Sequence, residues 1–197
     1  PLWYADELDA DDNPTGKRVT TSDYASADYY YVNKSSLPKV YGGFNTSLSW
    51  KGLDLSAIFA YSIGGYIYNR DITMILHNGS LEGRAWSTEI LRRWTPDNRY
   101  TDVPALSTTS NNWNSASTRF LQNNSYMRLK NLTLSYNLPK PWVSKLALSS
   151  VQVYVQGDNL FTIHKNQGLD PEQGITGITY YRYPAMRTIS GGINIAF

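Results

Sequence analysis

Asp170 and Glu172 stand two residues apart around Pro171. Paired carboxyls can divide acid and base roles between them, and glycoside hydrolysis needs two about 5–9 Å apart across the scissile bond. Flanking a Pro within a loop, they suit a structural use better, and the expected role of Asp170, Pro171 and Glu172 is to order that loop. The only histidines, His77 and His164, have no partner pattern for zinc. Asp6, Glu7, Asp9, Asp11 and Asp12 form an acidic cluster. A calcium loop would alternate its ligands about a Gly turn; that spacing is absent, and Asn13-Pro14-Thr15-Gly16 is turn chemistry. No Ser-His-Asp arrangement, phosphate loop or GxGxxG is present. With no Cys, thiolate and disulfide chemistry are excluded. These residues predict no catalytic centre, no metal and no cofactor.

Binding chemistry is better represented. Trp86, Arg92, Arg93, Trp94 and Trp113 gather in one long stretch between strands. Indole faces stack on sugars and guanidinium forks grip carboxylates, so these five are candidate contacts for a substrate or a partner protein; the alternative is that they pack the stretch on itself. The net charge of +2 comes from interspersed signs without a basic block, which argues against nucleic acid as a partner. The chain carries 16 Tyr, 6 Trp and 5 Phe in 197 residues. Such a balance suits β structure, aromatic girdles at membrane interfaces, and sugar-stacking surfaces.

The elements that must position these residues are strands. In the closing stretch Ile189, Ile193, Ile195 and Phe197 share one parity, and Thr188, Ser190, Gly192, Asn194 and Ala196 the other. This period of two is that of an amphipathic strand. Phe44, Thr46, Leu48 and Trp50 alternate with Asn45, Ser47 and Ser49, and Lys51-Gly52 reads as a tight hairpin turn. Leu53 to Ile63 alternates again, with Ile58 the exception on the polar parity. Met127 and Leu129 are out of phase with Leu132, Leu134 and Tyr136, which predicts a bulge near Lys130-Asn131. Val151, Val153 and Val155 complete the set. Between strands, Ala85 to Trp94 reads as a short helix stopped at Thr95-Pro96. No apolar run of about 18 residues exists, so no transmembrane helix is expected.

Five strands result, at about 41–50, 53–66, 124–137, 150–163 and 185–197. Their connections alternate short and long, the asymmetry of outer-membrane barrels with short periplasmic turns and long extracellular loops. The expected fold is therefore all-β, an antiparallel transmembrane β-barrel segment. Residues 1–40 and 70–123 are extracellular loop segments, the second with a short helix; 41–69 is a barrel hairpin and 124–197 the last three strands. Five strands cannot close a barrel, since about eight is the smallest number, and an open edge in lipid leaves backbone groups unsatisfied. The chain is accordingly expected to be a C-terminal part of something larger. Pro1 is not an initiator Met.

Several stretches resemble one family. Ser125-Tyr126-Met127-Arg128-Leu129-Lys130-Asn131-Leu132-Thr133-Leu134-Ser135-Tyr136-Asn137-Leu138-Pro139, then Val153 to Thr162 with its Asp158-Asn159-Leu160-Phe161, then Gly168-Leu169-Asp170-Pro171-Glu172, and finally Tyr183-Pro184 with Arg187-Thr188 and Phe197, are similar to segments of SusC/RagA-type TonB-dependent transporters of Bacteroidetes. Upstream, Leu37 to Phe44 and Arg93 to Asn98 match in the same order. The resemblance implies a complete protein with a barrel of about 22 strands, a plug, and a segment contacting the TonB complex that is missing from this chain. It implies an outer-membrane importer of oligosaccharides or peptides under a SusD-like surface lipoprotein, without enzymatic activity. This chain would supply about the last five strands, facing outer-membrane lipid, with Ile193, Ile195 and Phe197 as a signal for the barrel-insertion machinery. Gln152, Gln156, Asp158 and Asn194 would face a wet lumen. Two alternatives stay open: a passive channel or adhesin barrel, and a soluble β-sandwich carbohydrate-binding module.

Overall fold

The structure is a computed structural model describing residues 2–79, 81–107, 114–166, 168, 170–172 and 174–197. In chain order the strands are β1 (Trp3–Leu8), β2 (Pro14–Thr21), β3 (Val40–Trp50), β4 (Leu53–Ile63), β5 (Tyr66–Asn69), β6 (Leu121–Asn123), β7 (Tyr126–Asn137), β8 (Ser150–His164), β9 (Ile178–Thr179) and β10 (Thr188–Ala196). Two short helices, α1 (Arg70–Ile75) and α2 (Lys140–Val143), accompany them. The chain divides into two compact units. One comprises Pro1–Lys34, Tyr68–Leu121 and Ile178–Tyr181; the other comprises Ser35–Ile67, Gln122–Gly177 and Arg182–Phe197.

The second unit is built on a five-stranded antiparallel sheet in the order β10-β8-β7-β4-β3. Its strands run 9 to 15 residues, against the roughly 9–11 that a tilted strand needs to cross a bilayer. Lys51 and Gly52 form the two-residue β3–β4 turn with φ of 49° and 88°, the paired positive values of a type I′ hairpin. A Cβ on Gly52 would sit 2.9 Å from the Asn137 carbonyl, so both backbone and space call for Gly. The expected bulge is present. Phe59 faces Leu129 and Ile58 faces Asn131, leaving Lys130 as the extra residue, and the β7–β8 register shifts at the same place. Met127 and Leu129 thereby share a face with Leu132, Leu134 and Tyr136.

Register then assembles two unlike faces. One carries Phe44, Leu48, Trp50, Leu55, Phe59, Leu134, Val153, Val155, Phe161, Ile189, Ile193 and Ile195. It is the exposed one: Leu48 is 67% exposed, Ile193 62% and Val155 48%. On the other face polar side chains bond to one another. Asn194 Nδ2 donates to Gln152 Oε1 at 3.1 Å, and Gln152 Nε2 to Ser135 Oγ at 3.4 Å. Asn131 Nδ2 donates to Asp158 Oδ1 at 2.7 Å, and Thr133 Oγ1 to Asn131 Oδ1 at 2.9 Å. The Tyr154 ring lies across the sheet where a Cβ on Gly192 would meet its hydroxyl at 2.7 Å, which explains the small residue there.

The first unit contains the β1–β2 hairpin, where the sequence predicts only a loop segment. Charge density hid the alternation, but the acidic residues serve the turn. Asp9 Oδ1 accepts the backbone N–H groups of Asp11 and Asn13, both at 2.9 Å. Those bonds, the Asn13 one foremost, hold its carboxyl below the ordinary range. Asn69 caps α1 through its side chain, and β5 pairs with β9 in parallel. The helix expected over 85–94 shortens to a 3-10 turn at Thr88–Arg92, capped by Ser87. It stops because the Trp94 N–H turns away to the Val103 carbonyl at 2.8 Å. Its Ile90 joins Leu76 and Val103 in a small core.

Candidate functional site

The best-formed polar site of the described residues is a charged clamp in the second unit. Arg128 lies on the polar face of β7, and its side chain is 4% exposed. A cation this deep in a strand needs counter-charge. Its Nη2 meets Asp170 Oδ1 at 2.5 Å and its Nη1 meets Glu172 Oε2 at 2.9 Å, while Nε donates to Thr162 Oγ1 at 2.9 Å. Lys130, the bulge residue, reaches the same Glu172 at 2.6 Å. Asp170 also accepts the backbone N–H of Glu172 at 2.9 Å and of Ala185 at 2.6 Å. Pro171 is fully buried, and its carbonyl accepts Asn124 Nδ2 at 2.8 Å. Two side chains of one strand thus fasten the loop between β8 and β10.

Burial pushes the Asp170 carboxyl up, but the Ala185 and Glu172 N–H groups and the Arg128 guanidinium outweigh it and hold it below the usual range. Asp170 is therefore a fixed anion, unsuited to giving up or taking a proton near neutrality. Beside the clamp is a cavity of about 350 Å³ lined by Arg128, Thr162, His164, Asp170, Arg182 and Ala185, among others. The His164 ring is occupied by the Asn166 carbonyl at 2.9 Å. Asp170, Pro171 and Glu172, singled out in the sequence as a loop motif, all take part in this cluster. Arg128 carries no expected role in the sequence; its one signal there is a lone Arg between the apolar Met127 and Leu129.

Among the described residues, the Trp and Arg candidates of the first unit have separate partners. Trp86 Nε1 donates to His77 Nδ1 at 3.1 Å, as does the Gly79 N–H at 3.1 Å. His77 is buried. Arg92 pairs with Glu89 and, at 3.3 Å, with Asp102. Arg93 is half-buried and Trp94 is 43% exposed. Trp113 lies outside the described residues. The same unit holds a groove of about 610 Å³ whose walls include Trp3, Tyr4, Tyr30, Tyr31, Tyr68 and Arg18. Arg18 stacks 4.0 Å from the Tyr30 ring centre, and the Tyr30 hydroxyl donates to Asp6 Oδ1 at 2.7 Å. Flat rings of this kind suit sugar or peptide faces. The Tyr29-Tyr30-Tyr31 run was its one visible trace in the sequence.

No protein-family model matches the chain. Among curated proteins, it is 34% identical over 96% of its length to TonB-dependent receptor P3 of Formosa agariphila. It is 31% identical over 87% to TonB-dependent receptor P26 of the same organism, and 26% identical over 85% to TonB-dependent receptor SusC of Bacteroides thetaiotaomicron. The chain covers 20%, 18% and 16% of these relatives, about a fifth of their length. Solved structures of the RagAB peptide transporter agree. One has a TM-score of 0.81 at 36% identity, covering 100% of this chain and 21% of that one. The importer in its closed-closed state gives 0.79, again at 36% identity with 100% and 21% covered. The chain belongs to the SusC/RagA-type TonB-dependent receptors.

Receptors of this type are outer-membrane β-barrel proteins, so the chain is an outer-membrane segment. Among its described residues no helix is long and apolar enough to cross a membrane. The named relatives are receptors and importers rather than enzymes.

Proposed function

We propose that this segment supplies five adjacent membrane-crossing strands to a larger closed barrel of about 22 strands. The carrying observation is the inverted sheet: its apolar face is exposed while its polar face is internally bonded. Water would make that arrangement costly; lipid on the apolar face and a wet lumen on the other make it favourable. The two short connections then lie on the periplasmic side and the two long ones outside. The whole receptor imports an oligosaccharide or peptide with energy from the TonB complex, contacted by a part of the protein beyond this segment. A SusD-like surface lipoprotein covers the extracellular mouth, and Trp86, Arg92, Arg93 and Trp94 lie in the loops facing it or the substrate. Arg128, Asp170 and Glu172 hold one extracellular loop in place. Ile193, Ile195 and Phe197 serve the barrel-insertion machinery.

The test pairs Leu134→Arg on the apolar face with Thr133→Arg on the polar face, each in the full-length receptor. A charge facing lipid near the midplane costs about 2–4 kcal/mol. Leu134→Arg should lower folded outer-membrane protein and substrate uptake together, with Thr133→Arg close to wild type. Equal tolerance of both substitutions would refute the lipid-facing assignment.

A further inference from the structure

The short-connection end of the sheet carries an unbalanced set of charges. Lys51, in the β3–β4 turn, and Lys140 and Lys145, in the connection from β7 to β8, are all exposed. None of the three is paired with a carboxylate among the described residues. The nearby Asp54 is taken up by Asn137 Nδ2 at 2.9 Å. Large apolar side chains share this end in the open: Trp50 is 65% exposed, Trp142 63% and Leu146 69%. The connection holding two of them is not a loose loop. Trp142 and Val143 N–H groups bond the Pro139 carbonyl at 2.9 and 3.3 Å, Ser144 Oγ donates to the Lys140 carbonyl at 2.9 Å, and Leu148 N–H returns to Val143. Val143 is buried at 2% exposure. Inward Val143 fixes the helical turn while Trp142 and Leu146 stay outside.

We propose that this end is a binding surface for anionic phospholipid headgroups. The idea rests on the lipid-facing assignment above and adds a charge preference to it. The Trp50 register places its ring beside Leu53 and Tyr136 on the apolar face, so the surface continues the one in contact with lipid. Acyl chains cover Trp142 and Leu146, as amphipathic rings favour the interface. The lysine stems reach past them to the headgroup level, where an ammonium meets phosphate. Lys51 Nζ, 5.1 Å from the Trp50 ring centre, shows the pairing of ring and cation that this needs.

The experiment uses full-length receptor in mixed micelles, with acyl-brominated phosphatidylglycerol or phosphatidylcholine as tryptophan quenchers. Subtracting the signals of Trp142→Phe and of Trp50→Phe isolates each indole. Brominated phosphatidylglycerol should quench Trp142 at roughly ten- to hundredfold lower lipid fraction than phosphatidylcholine, with the preference fading as salt rises. Lys51→Gln, Lys140→Gln and Lys145→Gln together should abolish the preference and leave phosphatidylcholine quenching unchanged. Equal quenching of Trp142 by both lipids, or no quenching of Trp142 while Trp50 is quenched, overturns the headgroup site alone. No quenching of Trp50 by either lipid overturns it together with the lipid-facing assignment.

Discussion

Removing the Arg128 guanidinium should loosen one loop without unmaking the sheet. Arg128 and Asp170 side chains are 4% and 7% exposed, so solvent does little to screen the pair. Breaking a buried pair by deleting one partner costs about 3–5 kcal/mol, because a charge is left uncompensated. The lower end applies to Arg128→Ala, since Asp170 keeps two backbone donors, from Glu172 and Ala185. Asp170→Asn leaves Arg128 with Glu172 and Thr162 and should cost about 1–3 kcal/mol, the range for a buried group that loses a partner. The double variant should cost less than the sum, by a coupling of about 1–3 kcal/mol. The loop between β8 and β10 is where the loss appears, so the assays are the rate of proteolytic cleavage within residues 165–187 of the folded receptor and urea unfolding in detergent. Glu172→Gln should be milder, because that side chain is 38% exposed and its pairs are screened. A coupling below about 0.5 kcal/mol between Arg128 and Asp170 would show that packing around Pro171, and not the charge pair, holds the loop.

The same clamp has a pH signature. Asp170 has a carboxyl pKa below its unfolded value, so its stabilisation is complete above about pH 4 and is lost as pH falls through the folded pKa; loop protection should be flat between neutrality and mild acid, and a loss of protection already near pH 6 would contradict this. Gly52→Ala should destabilise the β3–β4 hairpin by more than about 1 kcal/mol, since φ is 88° and the Asn137 carbonyl is in the way, read as a lower unfolding midpoint; an unchanged midpoint would refute it. Phe197→Ser should reduce outer-membrane levels of the receptor with affinity for substrate intact, because Phe197 is 93% exposed in the segment; unchanged surface levels on immunoblots of membrane fractions would refute the assembly role. Tyr30→Phe should free Asp6 and loosen the stacked Arg18, measured as faster protease cleavage in the β1–β2 hairpin, and equal rates would mean the hydroxyl contributes nothing.

Most of the sheet was legible because period-two alternation survives where each strand has one apolar and one polar face. The bulge at Lys130 could be placed from phase alone: two apolar parities in one strand admit no other reconciliation if the face is to stay continuous. The β1–β2 hairpin was not legible. Glu7, Asp9, Asp11 and Asp12 mask its pattern; Asp9 serves the turn by accepting backbone N–H groups and Glu7 by accepting the Thr15 hydroxyl, partners that only the folded geometry brings together. The 85–94 helix was overextended, because apolar spacing cannot register that the Trp94 N–H is claimed by Val103. The clamp was half legible. Asp170 and Glu172 stood out as a pair, yet their partner lies 42 residues from Asp170 in sequence, and a single Arg in a strand carries no mark of what neutralises it.

That partial legibility has a common physical cause. A strand's two faces are set by neighbours along the chain, whereas a charge on the polar face is neutralised by whatever the long connections return. The sheet can therefore tolerate much change in those connections, provided Arg128 and Lys130 still find carboxylates. It cannot tolerate exchange of its faces, since one residue of slippage would turn Leu132 and Leu134 onto the polar face and Asn131 and Thr133 onto the apolar one. The Lys130 bulge and the Lys51-Gly52 turn are the two features that pin this register from either end of the β3–β4–β7 meander. Shifting either should damage assembly more than any exposed-loop change, including loss of the clamp itself.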